Sequence, residues 1–249
     1  MSQDYESDFL TELYKDLPTL GQDSLETTKK AFSMLKGLPA EPIILDVGCG
    51  TGMSSIELAK MSAKVVALDI NQTFLDILRN NAAAQDVADN IQTINKSMFS
   101  MDFEENSFDV IWSENSIFII GFEKALKEWR YFLKKGGFLV VSVIAKLKDN
   151  PPVDVKRYWE KVYPSIKSHD EILKIIEKQG YKLMDSFAFP ESDWWDYFYA
   201  PLEKKILSLR EKYGDKFKRE LDMNQNEIDY FKKYGFKYYG IVFYIMQNQ

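Results

Sequence analysis

Apolar residues fall along this chain in short β-branched runs separated by longer stretches with a helical repeat. The runs cover 43–47, 64–68, 91–94, 108–112 and 138–145. Near-continuous apolar runs of this length predict strands buried on both faces, as in a parallel sheet covered by helices. Helical periodicity predicts helices over 24–35, 54–61, 72–88 and 121–134. In the last of these Leu126, Trp129 and Leu133 share a face, and Gly136-Gly137 is placed to cap its C-terminus. Another helix opens at Ser168, where Ser168 and Glu171 have the spacing of a capping box, and ends near Gly180. Two further strands are predicted over 181–189 and 238–246. The segment between them, 190–236, reads as helical and is crowded with aromatics. No unit of about 20–50 residues repeats, so a solenoid or propeller is excluded. The plan is one α/β domain over 1–249 with a doubly wound sheet. It has an N-terminal helical segment at 1–42, a core at 43–145 and a helical insertion at 190–236.

The first predicted strand runs into Ile44-Leu45-Asp46-Val47-Gly48-Cys49-Gly50-Thr51-Gly52, directly before a helix start. Ser54 and Glu57 have the spacing of a capping box there. Glycines at such a turn let the backbone reverse sharply and approach a ligand, because no Cβ intervenes. The helix N-terminus beyond it offers unpaired N–H groups to a carboxylate or other anion. The next strand pattern ends in Asp69, placed to accept both hydroxyl protons of a ribose. Two ligand classes use this arrangement. Dinucleotide binders carry G-x-G-x-x-G, whereas this chain has G-x-G-x-G, with Met53 at the third-glycine position. Asp46, two residues before Gly48, suits a cofactor with a cationic end better than a diphosphate. A tight turn with no ligand is the remaining possibility.

Composition narrows the classes further. The chain has 249 residues, 45% apolar and 28% charged, enough for a sizeable core and too hydrophobic for disorder. One cysteine rules out an internal disulfide or a Cys-based zinc site and fits a reducing compartment; one histidine rules out a His-rich metal site. No metal is expected. The formal net charge of −6 argues against tight sequence-independent nucleic-acid binding. Uncharged stretches fall short of the roughly 20 residues of a membrane span. The start, MSQDYESDFL, is acidic and unlike a secretory signal. These features predict a cytoplasmic enzyme or binding protein.

The D-x-G-x-G-x-G string at 46–52, together with Asp69, resembles motif I of the class I S-adenosylmethionine-dependent methyltransferases. Asn95-Lys96-Ser97-Met98 with Met101-Asp102-Phe103 looks like the third motif of that family, with Ser97 where an acid often contacts the adenine. The segment 107–114 resembles its fourth strand, whose end faces the methyl group. Leu133-Lys134-Lys135-Gly136-Gly137-Phe138 is similar to its L-K-P-G-G turn, with Lys135 in place of proline. These matches cover 43–145. The wider arrangement, including 21–31, 112–121 and the Tyr-rich C-terminal strand, resembles bacterial methyltransferases of unassigned substrate. The resemblance implies a Rossmann-like, mostly parallel seven-stranded sheet with an antiparallel last strand. It also implies S-adenosylmethionine as cofactor, S-adenosylhomocysteine as product and a small-molecule acceptor. Gly48, Cys49, Gly50 and Gly52 are then expected at the methionyl end, with Asp46 ordering the turn or the cofactor amine. Asp69 is expected at the ribose and Ser97 and Met98 at the adenine. Ile70 and Ser113 complete the expected cofactor contacts.

Methyl transfer from a sulfonium is an in-line displacement with a neutral leaving thioether. The protein then has to align donor and acceptor near about 3–3.5 Å and exclude water. Glu114, directly after the fourth strand, is the candidate base; a solvated loop-end acid, or a partner for the cofactor amine, fits its position equally well. Asn115, Ser116 and Phe118 share that rim. The run from Trp194 through Trp195 to Tyr199 has two readings. It is either a helix packing its aromatic face on the sheet or a cap over the acceptor, with aromatic walls facing the sulfonium. His169, inside the Ser168 capping box, reads as a helix-start residue, and Cys49 as a small residue in a tight turn. The rivals are an NAD(P)-dependent oxidoreductase and a non-catalytic cofactor-binding module. The oligomeric state is left open by the sequence.

Overall fold

The computed structural model describes residues 3–22, 24–235 and 237–249, with side chains from Asp8 onward. Phe236, the last residue of the expected insertion, lies outside the described residues. Strands β1 (Ile43–Val47), β2 (Lys64–Asp69), β3 (Ile91–Asn95), β4 (Phe108–Ser113) and β5 (Leu133–Lys146) run parallel. Strand β6 (Lys167–Ser168) adds a two-residue pairing to the end of β5. Strand β7 (Tyr181–Ala188) and the antiparallel β8 (Tyr239–Asn248) complete the sheet, in the order β3-β2-β1-β4-β5-β8-β7. This is the expected mostly parallel sheet of seven main strands with an antiparallel last strand. The register sets Asp46 of β1 between Ala67 and Trp112, so the C-terminal ends of β1, β2 and β4 meet at one edge. Ligands of open α/β sheets bind outside that edge.

Helices α1 (Gln3–Tyr14), α2 (Leu25–Ser33), α3 (Met53–Lys60), α4 (Gln72–Ala83), α5 (Phe122–Trp129), α6 (Val153–Val162) and α7 (His169–Lys178) surround the sheet. The insertion consists of the single turn α8 (Glu191–Asp193), a π-helical turn (Trp194–Tyr199), α9 (Ala200–Tyr213) and α10 (Lys218–Tyr234). The capping box at Ser168 forms in both directions: Glu171 N donates to Ser168 Oγ at 3.3 Å, and Ser168 N donates to Glu171 Oε2 at 2.8 Å. The spacing alone reported this correctly, because the box is a local device.

Three elements differ from the sequence expectation. Helix α1 was hidden in a polar stretch, yet Phe9 and Leu13, one turn apart, are buried on one face. Helix α6 sits where no helix was expected and buries Val155 and Trp159. Gly136-Gly137 does not cap a helix. Helix α5 stops at Trp129, and the glycines lie within β5 beside a register shift in its pairing with β4. A Cβ on Gly137 would stand 2.9 Å from the Asp109 carbonyl oxygen, so the glycine is there for close strand approach.

The insertion packs as core. Trp194 is 2% exposed, and it shares one hydrophobic cluster with Ile44 and Trp112 of the central strands. Helix α1 closes on α9 and the turn that follows it. Phe9 lies 5.4 Å from the Phe217 ring, Lys205 pairs with Asp16, and Glu12 accepts from the Tyr213 hydroxyl and Lys212. The aromatic run therefore follows the first of its two readings. Truncating a buried tryptophan removes its transfer energy and leaves a cavity, so Trp194→Ala is expected to lose about 3–5 kcal/mol of stability. Denaturant unfolding measures it; a loss below about 1 kcal/mol would contradict this placement.

Candidate active site

A cavity of about 630 Å³ opens at the edge where β1, β2 and β4 end. Its floor is the turn after β1, whose chain reverses through glycines at positive φ: Gly48 at +75°, Gly50 at +55° and Gly52 at +90°. A Cβ on Gly52 would stand 2.3 Å from Leu78 Cγ, and one on Gly48 would stand 2.5 Å from Ser116 Oγ. Both positions require glycine on conformation and on space. Gly52 itself caps α3, so the expected Ser54–Glu57 box does not form. Glu57 is instead buried between Lys29 and Lys60, each at 3.6 Å.

Two acids hold the turn. Asp46 is 2% exposed and accepts from Ser55 Oγ at 2.6 Å, which ties the end of β1 to α3. Asp69 accepts Gly50 N at 2.9 Å on one oxygen and Asn71 N at 2.8 Å on the other. Burial pushes the Asp69 carboxyl above its usual range, and these backbone donors oppose the shift. Each of its oxygens keeps a second lone pair for a hydroxyl donor. Gly48 N and Cys49 N both donate to the Leu68 carbonyl, binding the turn to β2 as well. Cys49 lines the cavity, and burial followed by the charges of Asp46 and Asp69 keeps its thiol protonated and unreactive.

On the β4 side, Trp112 Nε1 and Thr28 Oγ1 donate to the same oxygen of Glu114, at 2.7 and 2.9 Å. These bonds fix a buried carboxylate on the cavity wall rather than a solvated loop-end acid. Asn115 follows at φ +49°, its N–H bound to Ser142 Oγ at 2.8 Å. Gly21 packs so closely on Asn115 that a Cβ there would stand 2.6 Å from Nδ2. Ser116 donates to the Val47 carbonyl at 2.7 Å and shares a hydrogen bond with Ser113.

Asp46, Gly48, Cys49, Gly50, Gly52, Asp69, Ile70, Ser97, Met98, Glu114, Asn115 and Ser116 thus all line one cavity. Ser113 does not; it is fully buried behind Ser116. Phe118 is also absent from the lining and meets the Tyr163 ring edge-on at 6.4 Å, while Ile119, next in the same 3₁₀ turn, lies at the wall. Trp194 and Trp195 are also absent from the lining; Trp194 is in the core and Trp195 stacks on Phe231. His169 likewise lies elsewhere, its Nδ1 2.9 Å from the Tyr244 hydroxyl. Sequence reasoning missed Leu10, Leu20, Asn71, Phe74 and Phe99 as lining residues. Leu10 and Leu20 arrive with the N-terminal segment, which carries no motif. Among the described residues no three His, Cys, Asp or Glu side chains gather to hold a metal, and no helix is long and apolar enough to cross a membrane.

A glycine cradle at a helix N-terminus, an acid at the next strand end and an open cavity beyond them are the features of a nucleoside-cofactor site on a doubly wound sheet. Residues 44–137 match the family described as a methyltransferase domain. An O-methyltransferase of Penicillium expansum is 27% identical over 147 residues, 57% of this chain and 52% of its own. Phosphoethanolamine N-methyltransferase 3 of Arabidopsis thaliana is 26% identical over 212 residues, 83% of this chain and 38% of its own. The chain thus spans about half or less of the length of these curated relatives. A methyltransferase from Thiobacillus denitrificans, solved with S-adenosylhomocysteine, superposes with a TM-score of 0.83 at 17% identity, covering 97% of this chain and 98% of that one. Residues 44–137 are thus similar to a methyltransferase domain, and the fold of nearly the whole chain is that of a methyltransferase solved with S-adenosylhomocysteine.

The cavity fits that cofactor: its volume is that of a small-molecule site, and a glycine cradle and a ribose-type acid meet in it. Charge-assisted bonds from ribose hydroxyls to Asp69 are worth roughly 1.5–3 kcal/mol each. Asp69→Ala is therefore expected to weaken S-adenosylhomocysteine binding by about tenfold to a few hundredfold. Because burial raises the Asp69 pKa, wild-type affinity should also fall as pH drops through that raised value, where the carboxylate takes up a proton. Calorimetry across pH tests both; unchanged affinity in a folded variant would contradict the assignment.

Proposed function

We propose that this protein transfers a methyl group from S-adenosylmethionine to a small-molecule acceptor, leaving S-adenosylhomocysteine. The observation that carries this reading is the convergence of the Gly48–Gly52 turn, Asp69 and Glu114 on one cavity. Bound S-adenosylmethionine supplies an electrophilic methyl whose departure leaves a neutral thioether.

The chain's own task is to bind, orient and exclude water. The backbone of Gly48, Cys49, Gly50 and Gly52 can approach the amino-acid end closely, and Asp46, held by Ser55, sets a negative charge beside it. Asp69 receives the ribose hydroxyls, while Ile70, Ser97 and Met98 border the adenine. Ser113 acts only through Ser116. Leu10 and Leu20 lie over the cavity and keep water out. Glu114 and Asn115 face the acceptor. Glu114, aimed by Trp112 and Thr28, takes a proton from an acceptor that must lose one. Phe118, Trp194 and Trp195 support this arrangement from outside the cavity.

The same reading makes residues 1–249 one domain, with 1–42 and 190–236 completing the acceptor side of the 43–145 core. It also places the protein in the cytoplasm, on its single cysteine and acidic balance, without nucleic acid as a partner. By name, one relative methylates oxygen and the other nitrogen, so neither supplies the acceptor. Calorimetry with S-adenosylmethionine, S-adenosylhomocysteine and NAD is the direct test. Both adenosyl ligands should bind and NAD should not; the reverse outcome would overturn the reading. Once turnover is found, it should survive prolonged EDTA treatment. Activity lost to EDTA and restored by magnesium would contradict the residue roles given above.

A further inference from the structure

The cavity is unevenly charged. Among the described residues its lining holds three carboxylates, Asp46, Asp69 and Glu114, and one cation, Lys96. Asp46 and Asp69 are bound to the glycine turn and the helix after it, at the cofactor end. Lys96 stands beside Ser97, and its ammonium pairs with Asp102. Glu114 lies on the other side, 9% exposed and held by Trp112 Nε1 and Thr28 Oγ1. Around it the wall consists of Asn115, Ser116 and Ile119 from the same loop, with Gly21 packed on Asn115 and Leu20 next in the chain. No Lys, Arg or His belongs to that stretch of wall.

That wall sorts acceptors by charge. A carboxylate or phosphate placed against it meets a like charge and leaves water with no cation to receive it. An alcohol meets one acceptor and keeps its proton, which it holds too tightly for a carboxylate to remove. An ammonium group makes charge-assisted hydrogen bonds to Glu114, which are stronger than those of a neutral donor. It also carries the proton that has to leave before nitrogen can act as a nucleophile. One N–H bond breaks, Glu114 takes the proton and becomes neutral, and nitrogen keeps the electron pair. The side chains of Leu20 and Ile119 give the rest of such a molecule apolar surface and no polar partner.

We propose that Glu114 selects a cationic amine as the acceptor, with its ammonium group at the carboxylate and an uncharged, apolar remainder against Leu20 and Ile119. Acids and phosphates are turned away by the same wall. This deepens the methyltransferase reading and rests on it, and the experiment separates the two claims.

Butylamine, cyclohexylmethylamine and benzylamine, each with the alcohol and the carboxylate of the same skeleton, differ in size and, within each set, in charge. All are titrated calorimetrically into the full chain saturated with S-adenosylhomocysteine. At least one amine should bind about tenfold or more tightly than its alcohol, and its carboxylate should give no saturable heat. Glu114→Gln keeps an oxygen for Trp112 and Thr28 and removes the charge. It should weaken that amine by about tenfold or more and its alcohol by less than about threefold. Lys96→Met should hold the amine affinity within about twofold. The proposal is overturned if no amine outbinds its alcohol on the wild type, if the preference survives in Glu114→Gln, or if a carboxylate binds and loses its affinity in Lys96→Met. The wild-type comparison decides by itself should Glu114→Gln not fold. Failure of the wild type to bind S-adenosylhomocysteine overturns the methyltransferase reading instead, and the same comparison without nucleoside still decides the preference for amines.

Discussion

The Asp69 carboxylate, receiving the N–H groups of Gly50 and Asn71, is the contact on which the site depends. It locks a backbone reversal that only glycines can make to the end of the neighbouring strand. With Gly48 and Cys49 also bound to the Leu68 carbonyl, the turn cannot rise into the space above it. The cavity exists because that turn is held down. The same carboxylate keeps lone pairs directed outward, so one group both builds the site and offers a ligand contact. Burial raises its pKa, which makes the contact sensitive to acid in the direction of loss.

Around that floor, the N-terminal segment and the insertion pack on the sheet and on each other. The N-terminal segment brings Leu10, Leu20 and Gly21 to the cavity and supplies Thr28 to Glu114. The insertion buries its aromatic run in the same hydrophobic cluster as the sheet and docks on α1 through Phe217, Tyr213, Lys205 and Lys212. Ser24 Oγ adds a hydrogen bond to Asp193 at 2.5 Å, which joins the two segments again. Each segment thus positions the other. The carboxylate at Glu114 is aimed by residues 86 positions and 2 positions away in sequence.

Much of this was legible in the sequence, and the reason is locality. Strands β1, β2 and β4 were readable because buried parallel strands are near-continuous apolar runs, β3 at the sheet edge by its Ile and Thr residues, and the Ser168 box because a cap involves four adjacent residues. The cofactor side was readable for a similar reason: a positive-φ turn and a strand-end acid leave fixed residue types at fixed spacing. Helix α1 escaped because two buried residues, Phe9 and Leu13, suffice to dock it while the rest stays polar. Ser113, the last residue of β4, lies covered behind Ser116, and Phe118 lies off the wall that its neighbour Ile119 lines; neither placement leaves a mark in residue type or spacing. The sequence left Trp194 and Trp195 between core and cap, since hydrophobicity demands cover without naming what provides it.

Mapping amide chemical shifts in the ¹⁵N-labelled protein on addition of S-adenosylhomocysteine tests the central claim most directly. Perturbations are expected to concentrate at 48–52, 69–71, 97–99 and 114–116, with the Gly50 amide, bound to Asp69, among the largest. Absence of saturable shifts, or shifts centred on another face of the sheet, would contradict the account.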